Sequence, residues 1–285
     1  MNFNDEPVYV GRDFGGRDLV VDRRLADAYL AAVDESNPLY ERIAPGLVLH
    51  SECYYDLSWY LKNIFGNLHA RQEWELFHPI LIGTLVTTRA FIRDRYQKRG
   101  RDYVVKETWV LDDTGRLLNR GLTHQSFLGT TALEGARDRD VVSKDREKSS
   151  ERRFDAGGKG GRTLGPLRKR VDERMCMLFS GPSLNYHTDR EAARALGFPD
   201  IVVQGMLPIC LLSELLAHEF GEGFLAGGKM DVRLVNVLWA NEAVEAHAEV
   251  VAESREAGRT RVHLEGWVEK ADGTKVIVGN ASALV

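Results

Sequence analysis

Cysteine is scarce in this sequence, with three copies in 285 residues, and they stand far apart at Cys53, Cys176 and Cys210. An odd number of widely spaced cysteines without a Cys-x-x-Cys pair excludes a disulfide framework and a zinc ribbon. Isolated cysteines of this kind usually serve as small apolar core residues. We therefore expect three buried, reduced thiols.

Long apolar runs and an excess of one charge are also missing. No segment approaches the roughly 20 apolar residues that span a bilayer, and residues 1–16 lack the basic and apolar regions of a signal peptide. The 38 basic and 42 acidic residues nearly cancel, with a pI near 6.1, so nothing attracts nucleic acid or an anionic membrane in general. We predict a soluble, cytoplasmic protein that holds any anionic ligand locally.

The common signatures of nucleotide, metal and serine chemistry are missing as well. The glycines form neither a P-loop nor a dinucleotide fingerprint, and His218, His247 and His263 lack zinc-ligand spacing. No Gly-x-Ser-x-Gly elbow occurs, and nothing in the sequence orients Ser180 or Ser183 as a nucleophile. We therefore predict no cofactor and no metal.

What is present centres on residues 179–220, where a polar turn carrying Asn185, His187 and Asp189 precedes a long apolar segment. That segment is apolar on almost every side, which is typical of a helix buried on several sides, so a sheet should surround it. Gly205 stands where the helix should begin, and its N–H should point outward with the positive end of the helix dipole.

The chain is longer than one ordinary core, and its two halves read alike. In the first half, helical spacing over residues 23–33 and 50–65 precedes period-two alternation over 68–128, which fits three or four antiparallel strands. In the second half, alternating segments follow the buried helix at 229–239, 243–253, 259–270 and 275–285. This predicts an internal repeat, a pseudo-dimer within one chain.

Residues 129–169 separate the halves and combine a charge run with a Gly-Gly-Lys-Gly-Gly segment. Such a composition buries too little apolar surface to order itself, which indicates a linker. We predict an N-terminal domain over residues 1–128 and a C-terminal domain over 170–285. The basic run 168–170 is typical of a solvated face.

The repeat of helix inside sheet, together with SGPSLNYHTDREAARALGFPDIVVQGM at residues 180–206, resembles the MaoC-like hydratase and dehydratase family of double hotdog type. That family commonly shows Ser-Gly-Asp-x-Asn-Pro-Leu-His-x-Asp, then a short helix and a His-Gly-Met step. The residues that match are Ser180, Gly181, His187, Asp189, Ala192, Ala193, Gly197, Phe198, Gly205 and Met206. The resemblance implies an α+β double hotdog fold, weakly in the first half and more clearly in the second.

The departures from that pattern fall at the expected site. Pro182 stands in place of the family's catalytic aspartate, Leu184 in place of its asparagine, and Gln204 in place of the histidine before the glycine. Asn185 lies two residues before His187, where its amide could hold the water that the missing carboxylate would otherwise hold.

The first half carries a degenerate copy of the motif. Residues 35–40 align on Asp-x-Asn-Pro-Leu-His, with Glu35 at the carboxylate and Tyr40 at the histidine. We interpret this half as non-catalytic. The aromatic residues Tyr54, Tyr55 and Trp59 either shape a cavity for the acyl part of a ligand or are simply core aromatics.

The resemblance implies reversible addition of water to a 2-enoyl thioester, with His187 as the acid/base and the Gly205 N–H as donor to the enolate oxygen. The catalytic residues are therefore predicted to be His187, Asn185 and Gly205, whereas Asp189 is expected to cap the helix that follows it. The implied substrate is an acyl-CoA or acyl-carrier thioester, and the implied assembly is a homodimer. Two alternatives stay open: a thioesterase on the same scaffold, and a binding subunit without turnover.

Overall fold

The computed structural model describes residues 9–53, 68–98, 101–128 and 152–285. The described residues of the first half contain one α-helix, α1, five strands, β1 to β5, and two short 3₁₀ helices at Pro38–Glu41 and His50–Cys53. The bounds are β1 Asp13–Val21, α1 Arg23–Val33, β2 Leu68–Leu76, β3 Thr84–Lys98, β4 Arg101–Asp112 and β5 Leu117–Leu128.

The second half repeats this order with additional helices. The bounds are β6 Thr163–Val171, α2 Glu173–Ser180, α3 Arg190–Ala195, α4 Met206–Phe220, α5 Glu222–Leu225, β7 Lys229–Leu234, β8 Glu242–Glu256, β9 Arg259–Lys270 and β10 Lys275–Leu284. The strands and the helix α1 that the alternation and helical spacing predicted are confirmed at nearly these positions.

All ten strands form one antiparallel sheet in the order β1-β3-β4-β5-β2-β7-β10-β9-β8-β6. The order in the second half is the mirror of that in the first, and the halves meet where β2 pairs with β7. Trp74 of β2 lies opposite Met230 of β7 at this seam. The seam therefore relates the two repeats in the way a two-fold axis would relate two subunits.

Helix α4 lies at the centre of the second half, where every residue from Met206 to Ala217 is buried. The helix contacts β6, β8, β9 and β10, so the sheet does surround it. The prediction of a helix buried on several sides is confirmed. This helix and the inner face of the sheet form much of the core. Burial of apolar surface stabilises a fold by about 25 cal/mol per Å², so this packing contributes strongly to stability.

The same capping device starts a helix at the end of the first strand of each repeat. Asp22 accepts a hydrogen bond from the Leu25 N–H at 2.8 Å, and Asp172 accepts one from the Met175 N–H at 2.8 Å. An aspartate in this position satisfies N–H groups that have no partner inside the helix. Helices α1 and α2 pack against each other and so join the two halves.

One prediction, on the bounds of the linker, needs revision, and one, on a helix, is tested only in part. Residues 163–169 of the predicted linker belong to strand β6, an edge strand paired with β8, so the second unit begins before residue 170. The predicted helix 50–65 is described only over His50–Cys53, as a 3₁₀ helix, and the rest lies outside the described residues. Residues 129–151 lie outside them too.

Cys176 and Cys210 are buried and free, as expected, whereas the Cys53 side chain lies outside the described part. Burial raises the pKa of the Cys176 thiol to about 12, which leaves it unreactive at neutral pH. In the described ranges, no helix is long and apolar enough to cross a membrane.

Candidate functional site

The polar turn before α3 is held together by the side chain of Asn185. Its Oδ1 accepts a hydrogen bond from the His187 N–H at 2.8 Å, and its Nδ2 donates to the carbonyl of Ser183 at 3.0 Å. Thr188 Oγ closes the same turn by donating to the Ser183 carbonyl at 2.9 Å. The Asn185 amide therefore fixes the backbone that presents His187, a role different from the water binding expected from sequence.

His187 is half-buried, and one of its ring nitrogens is fixed. Its Nδ1 lies 2.7 Å from the carbonyl oxygen of Val202, which can only accept, so Nδ1 carries the proton and Nε2 is the basic nitrogen. Burial lowers the pKa of His187 to about 4, although the Val202 carbonyl acts in the opposite direction. The imidazole is therefore neutral at pH 7 and ready to accept a proton.

The N-terminus of α4 lies three residues beyond Val202. Gly205 is the residue at this end and makes no side-chain cap, so the first N–H groups of the helix lack the acceptors that a capping side chain would give. A Cβ at Gly205 would lie 2.4 Å from Leu234 Cδ2 and 3.4 Å from His69 Nδ1. Glycine allows this close approach, which brings together α4, β7 and β2 from both halves.

His69 is a residue that the sequence reasoning missed. It lies on β2 in the first half, and its Nε2 lies 3.0 Å from Gln72 Oε1. Burial lowers its pKa to about 4, so it too is neutral at pH 7. It reaches Gly205 across 136 positions of sequence, a contact for which the local pattern carries no signal.

The positions at which this chain departs from the family motif fall into two groups. Two of them are exposed to solvent, and one lies among buried polar atoms without hydrogen-bond partners. Pro182 and Leu184 are exposed on the turn, Leu184 to 71%. Ser180 Oγ and Gln204 Oε1 are buried and have no hydrogen-bond partner. Buried polar atoms are normally paired, so these two are the groups beside the turn that could hold a water or a polar substrate atom.

Asp189 caps α3, as expected, because its carboxylate accepts a hydrogen bond from the Ala192 N–H at 2.7 Å. The cap starts the helix directly after the His187 turn and so fixes where the turn ends. Asp189 is therefore a structural residue at the edge of the site.

The degenerate motif of the first half takes part in a buried hydrogen-bond network. Tyr40, at the histidine position of the motif, donates to Glu214 Oε2 of α4 at 2.5 Å, and Tyr29 of α1 donates to Oε1 at 2.8 Å. Burial raises the pKa of Glu214 to about 7. Glu35, at the carboxylate position, pairs with His218 at 3.0 Å and Lys169 at 2.9 Å. Both positions therefore bind the two halves together.

One cluster of potential metal ligands lies on the outer face of the sheet, formed by Glu245, His247 and Glu269. His247 Nε2 lies 3.2 Å from one carboxylate and 3.4 Å from the other. However, Glu245 pairs with Arg168 at 2.7 Å and Glu269 pairs with Lys275, so existing cations already balance both carboxylates. The spacing rules applied to the sequence could not detect this cluster because its members meet across two strands.

Residues 161–272 match the family model of the MaoC like domain. The second half of this chain is therefore similar to the MaoC-like domain family. The matched segment contains the His187 turn, the start of α4 and strands β6 to β9, so the family pattern covers the whole site on the second-half side. No curated protein matches the sequence.

Solved structures extend the likeness to the whole chain. A MaoC-like dehydratase from Phytophthora capsici superposes with a TM-score of 0.69 at 16% identity, covering 95% of both chains. A MaoC domain protein from Chloroflexus aurantiacus gives 0.70 at 12% identity, covering 99% of this chain and 98% of the other. A Mycobacterium tuberculosis protein described as a double hotdog gives 0.62 at 14%, covering 100% and 98%. The chain therefore has the double hotdog fold that the resemblance predicted.

Proposed function

We propose that this protein is an acyl-thioester hydratase or dehydratase, which adds water reversibly to a 2-enoyl thioester, most simply an acyl-CoA. The observation that carries the proposal is a neutral histidine whose tautomer is fixed by the Val202 carbonyl. Val202 lies three residues before Gly205, where helix α4 starts without a side-chain cap. The MaoC-like family model over residues 161–272 supports the same class of reaction.

His187 acts as the base in the hydration direction. Its unprotonated Nε2 accepts a proton from water while the water oxygen forms a bond to C3 of the enoyl group. The π electrons of the C2–C3 double bond move toward the thioester, and negative charge develops on its oxygen. The imidazolium then returns the proton to C2, so one water has been added and the histidine is regenerated.

Gly205 supplies the stabilisation of that negative charge. A backbone N–H at the positive end of α4 donates to the thioester oxygen, and the helix dipole favours the same charge. Loss of one such donor typically costs about 10²–10³ in rate. Any side chain at position 205 would meet Leu234 and His69, so the glycine is required for the packing of β7 and β2 against the start of α4.

The missing aspartate changes how water is held. Pro182 contributes no acceptor, and the Asn185 amide is used within the turn. Gln204 Oε1 and Ser180 Oγ are the buried groups without partners near the turn, so they take over the role of positioning water. In this proposal His187 moves the protons without help from a second titratable side chain of the motif.

Crotonyl-CoA tests the proposal against its two rivals. Loss of enoyl absorbance without release of free thiol supports hydration, whereas release of free thiol identifies a thioesterase. Saturable binding with neither change identifies a binding subunit. Mass spectrometry of the product should show a gain of one water, and a product without that gain would refute the proposal.

A further inference from the structure

The inner faces of the two half-sheets differ in chemistry at equivalent positions. Strand register defines the equivalence, because the pair Thr108 and Gly121 in the first half corresponds to the pair Gly266 and Gly279 in the second. By this register, six buried polar residues of the first half have apolar counterparts. The pairs are Gln72 and Met230, Thr88 and Ala246, Lys106 and Leu264, Asn119 and Ile277, Thr123 and Ala281, and Gln125 and Ala283.

Some of these polar groups are satisfied within the protein. Thr123 donates to Gln72 Oε1 at 2.9 Å, and Thr88 donates to Glu52 at 2.9 Å. Lys106 donates to the Glu52 carbonyl at 3.0 Å. The polar character of this face is therefore built into the fold and organised by its own hydrogen bonds.

Four other polar groups on the same face have an atom without a partner. They are Trp74 Nε1, Thr108 Oγ, Asn119 Oδ1 and Gln125 Oε1, and each of these residues is 2% exposed. Leaving one buried polar atom unpaired is costly, and native structures seldom keep several together without a ligand or water that satisfies them. An apolar ligand group that lay against these four atoms would leave them without hydrogen-bond partners.

This face is continuous with the candidate site. Gln125 lies opposite His69 in the register of β5 and β2, and His69 lies beside Gly205 at the start of α4. A thioester whose oxygen reaches Gly205 therefore has His69 and then Gln125 as its neighbours on the first-half side.

We propose, resting on the proposed function, that the acyl group of the substrate is oxygenated. It carries a hydroxyl or carboxyl group beyond the reacting carbons, and the inner face of the first-half sheet binds that group through Gln125, with Thr108 further along the same face. A plain alkyl chain should bind less tightly, because it would cover these polar atoms without forming hydrogen bonds to them. The second half, whose inner face is apolar, contributes α4 and the reacting groups instead.

Binding of saturated acyl-CoA thioesters tests this without any turnover. Isothermal titration compares butyryl-, 4-hydroxybutyryl- and succinyl-CoA, and the same three ends on a six-carbon chain, so only the terminal group changes. We expect at least one oxygenated thioester to bind tenfold or more tightly than its methyl counterpart. Comparison of the hydroxyl-ended with the carboxyl-ended thioesters then identifies which group is preferred.

Gln125→Leu should remove most of that preference while keeping the size of the side chain and raising or preserving the melting temperature. Gln97→Leu, at an exposed position of β3, is the matched control and should keep the preference. Equal or tighter binding of the methyl thioesters to the wild-type protein would overturn this inference but leave the proposed function intact. Failure of all six thioesters to bind would overturn both.

Discussion

Histidine 187 is the residue on which the proposed chemistry depends. His187→Ala should lower kcat for hydration by about 10²–10⁴-fold, because Pro182 replaces the catalytic aspartate of the motif and Asp189 is used as a helix cap. His187→Gln should not restore the rate. Thermal melts of both variants should stay close to wild type, and a near-normal rate in His187→Ala would refute the mechanism.

The depressed pKa of His187 gives a second prediction at the same residue. The base must be unprotonated, and burial lowers its pKa to about 4, so kcat/KM should fall only as the pH drops toward 4. An imidazole with the ordinary value would lose activity near pH 6.5 instead. A pH profile of kcat/KM measures this, and an acidic limb centred near 6.5 would show that the side chain is solvated during catalysis.

Asn185 acts through the turn and not through the substrate. Asn185→Ala removes the acceptor for the His187 N–H and the donor to Ser183, so the imidazole loses its fixed position. We expect a loss of about tenfold to a hundredfold in kcat, with little change in KM. Asn185→Asp keeps the acceptor and should retain more activity than the alanine variant. An equal loss in both would favour a direct role for the amide.

At the scale of the elements, α4 carries a carboxyl group that links stability to pH. Burial raises the pKa of Glu214 from 4.5 to about 7, so the folded protein binds this proton more tightly than the unfolded chain. The resulting stabilisation is complete below pH 4.5 and is lost as the pH rises through 7. It amounts to at most about 3.5 kcal/mol, since one pKa unit corresponds to about 1.4 kcal/mol.

Glu214→Gln should remove this dependence. The amide stays neutral, so the free energy of unfolding of the variant relative to wild type should rise between pH 4.5 and 7.5. Denaturant titrations of both proteins at each pH measure the difference and cancel the opposite contribution of the buried histidines His50, His69 and His187. Glu253→Gln, at an exposed site, is the control. A constant difference across this range would contradict the prediction.

The elements also show what the sequence reveals and what it leaves out. Helical spacing gives α1 its observed bounds, and alternation with a turn gives β9 its observed bounds. Strand β6 escapes this reasoning because it is an edge strand with charged residues and few buried ones. Similarly, Glu214 in an apolar helix gives no sign of its partners, which lie 174 and 185 positions away.

At the scale of the molecule, the seam between β2 and β7 and the contact of α1 with α2 should hold the halves together without the chain connection. Residues 1–140 and 141–285, coexpressed as separate chains, should copurify as a one-to-one complex. Each half alone would expose the edge of the sheet at the seam and the partners of Glu214. Size-exclusion chromatography with mass measurement checks this, and two soluble monomers that ignore each other would refute the pseudo-dimer.

Only the part of the candidate site that lies in the second half could be predicted from the sequence. His187 and Gly205 carry the family pattern within residues 180–206, and their catalytic roles stay predictions. His69 comes from the first half and lies beside Gly205 through the fold, and Gln125 lies opposite His69 on the next strand, so no local pattern could assign them. The homodimer expected from the resemblance stays a prediction.

The joining of two unlike repeats in one chain has a consequence for descent. In a homodimer of identical repeats, a change from histidine to tyrosine in the motif would appear at both sites and abolish both. In this chain the change stands once, at Tyr40, where it ties the halves together through Glu214 while His187 is kept in the other copy. Duplication followed by fusion would therefore allow one copy to lose the histidine and hold the halves together while the other copy keeps it.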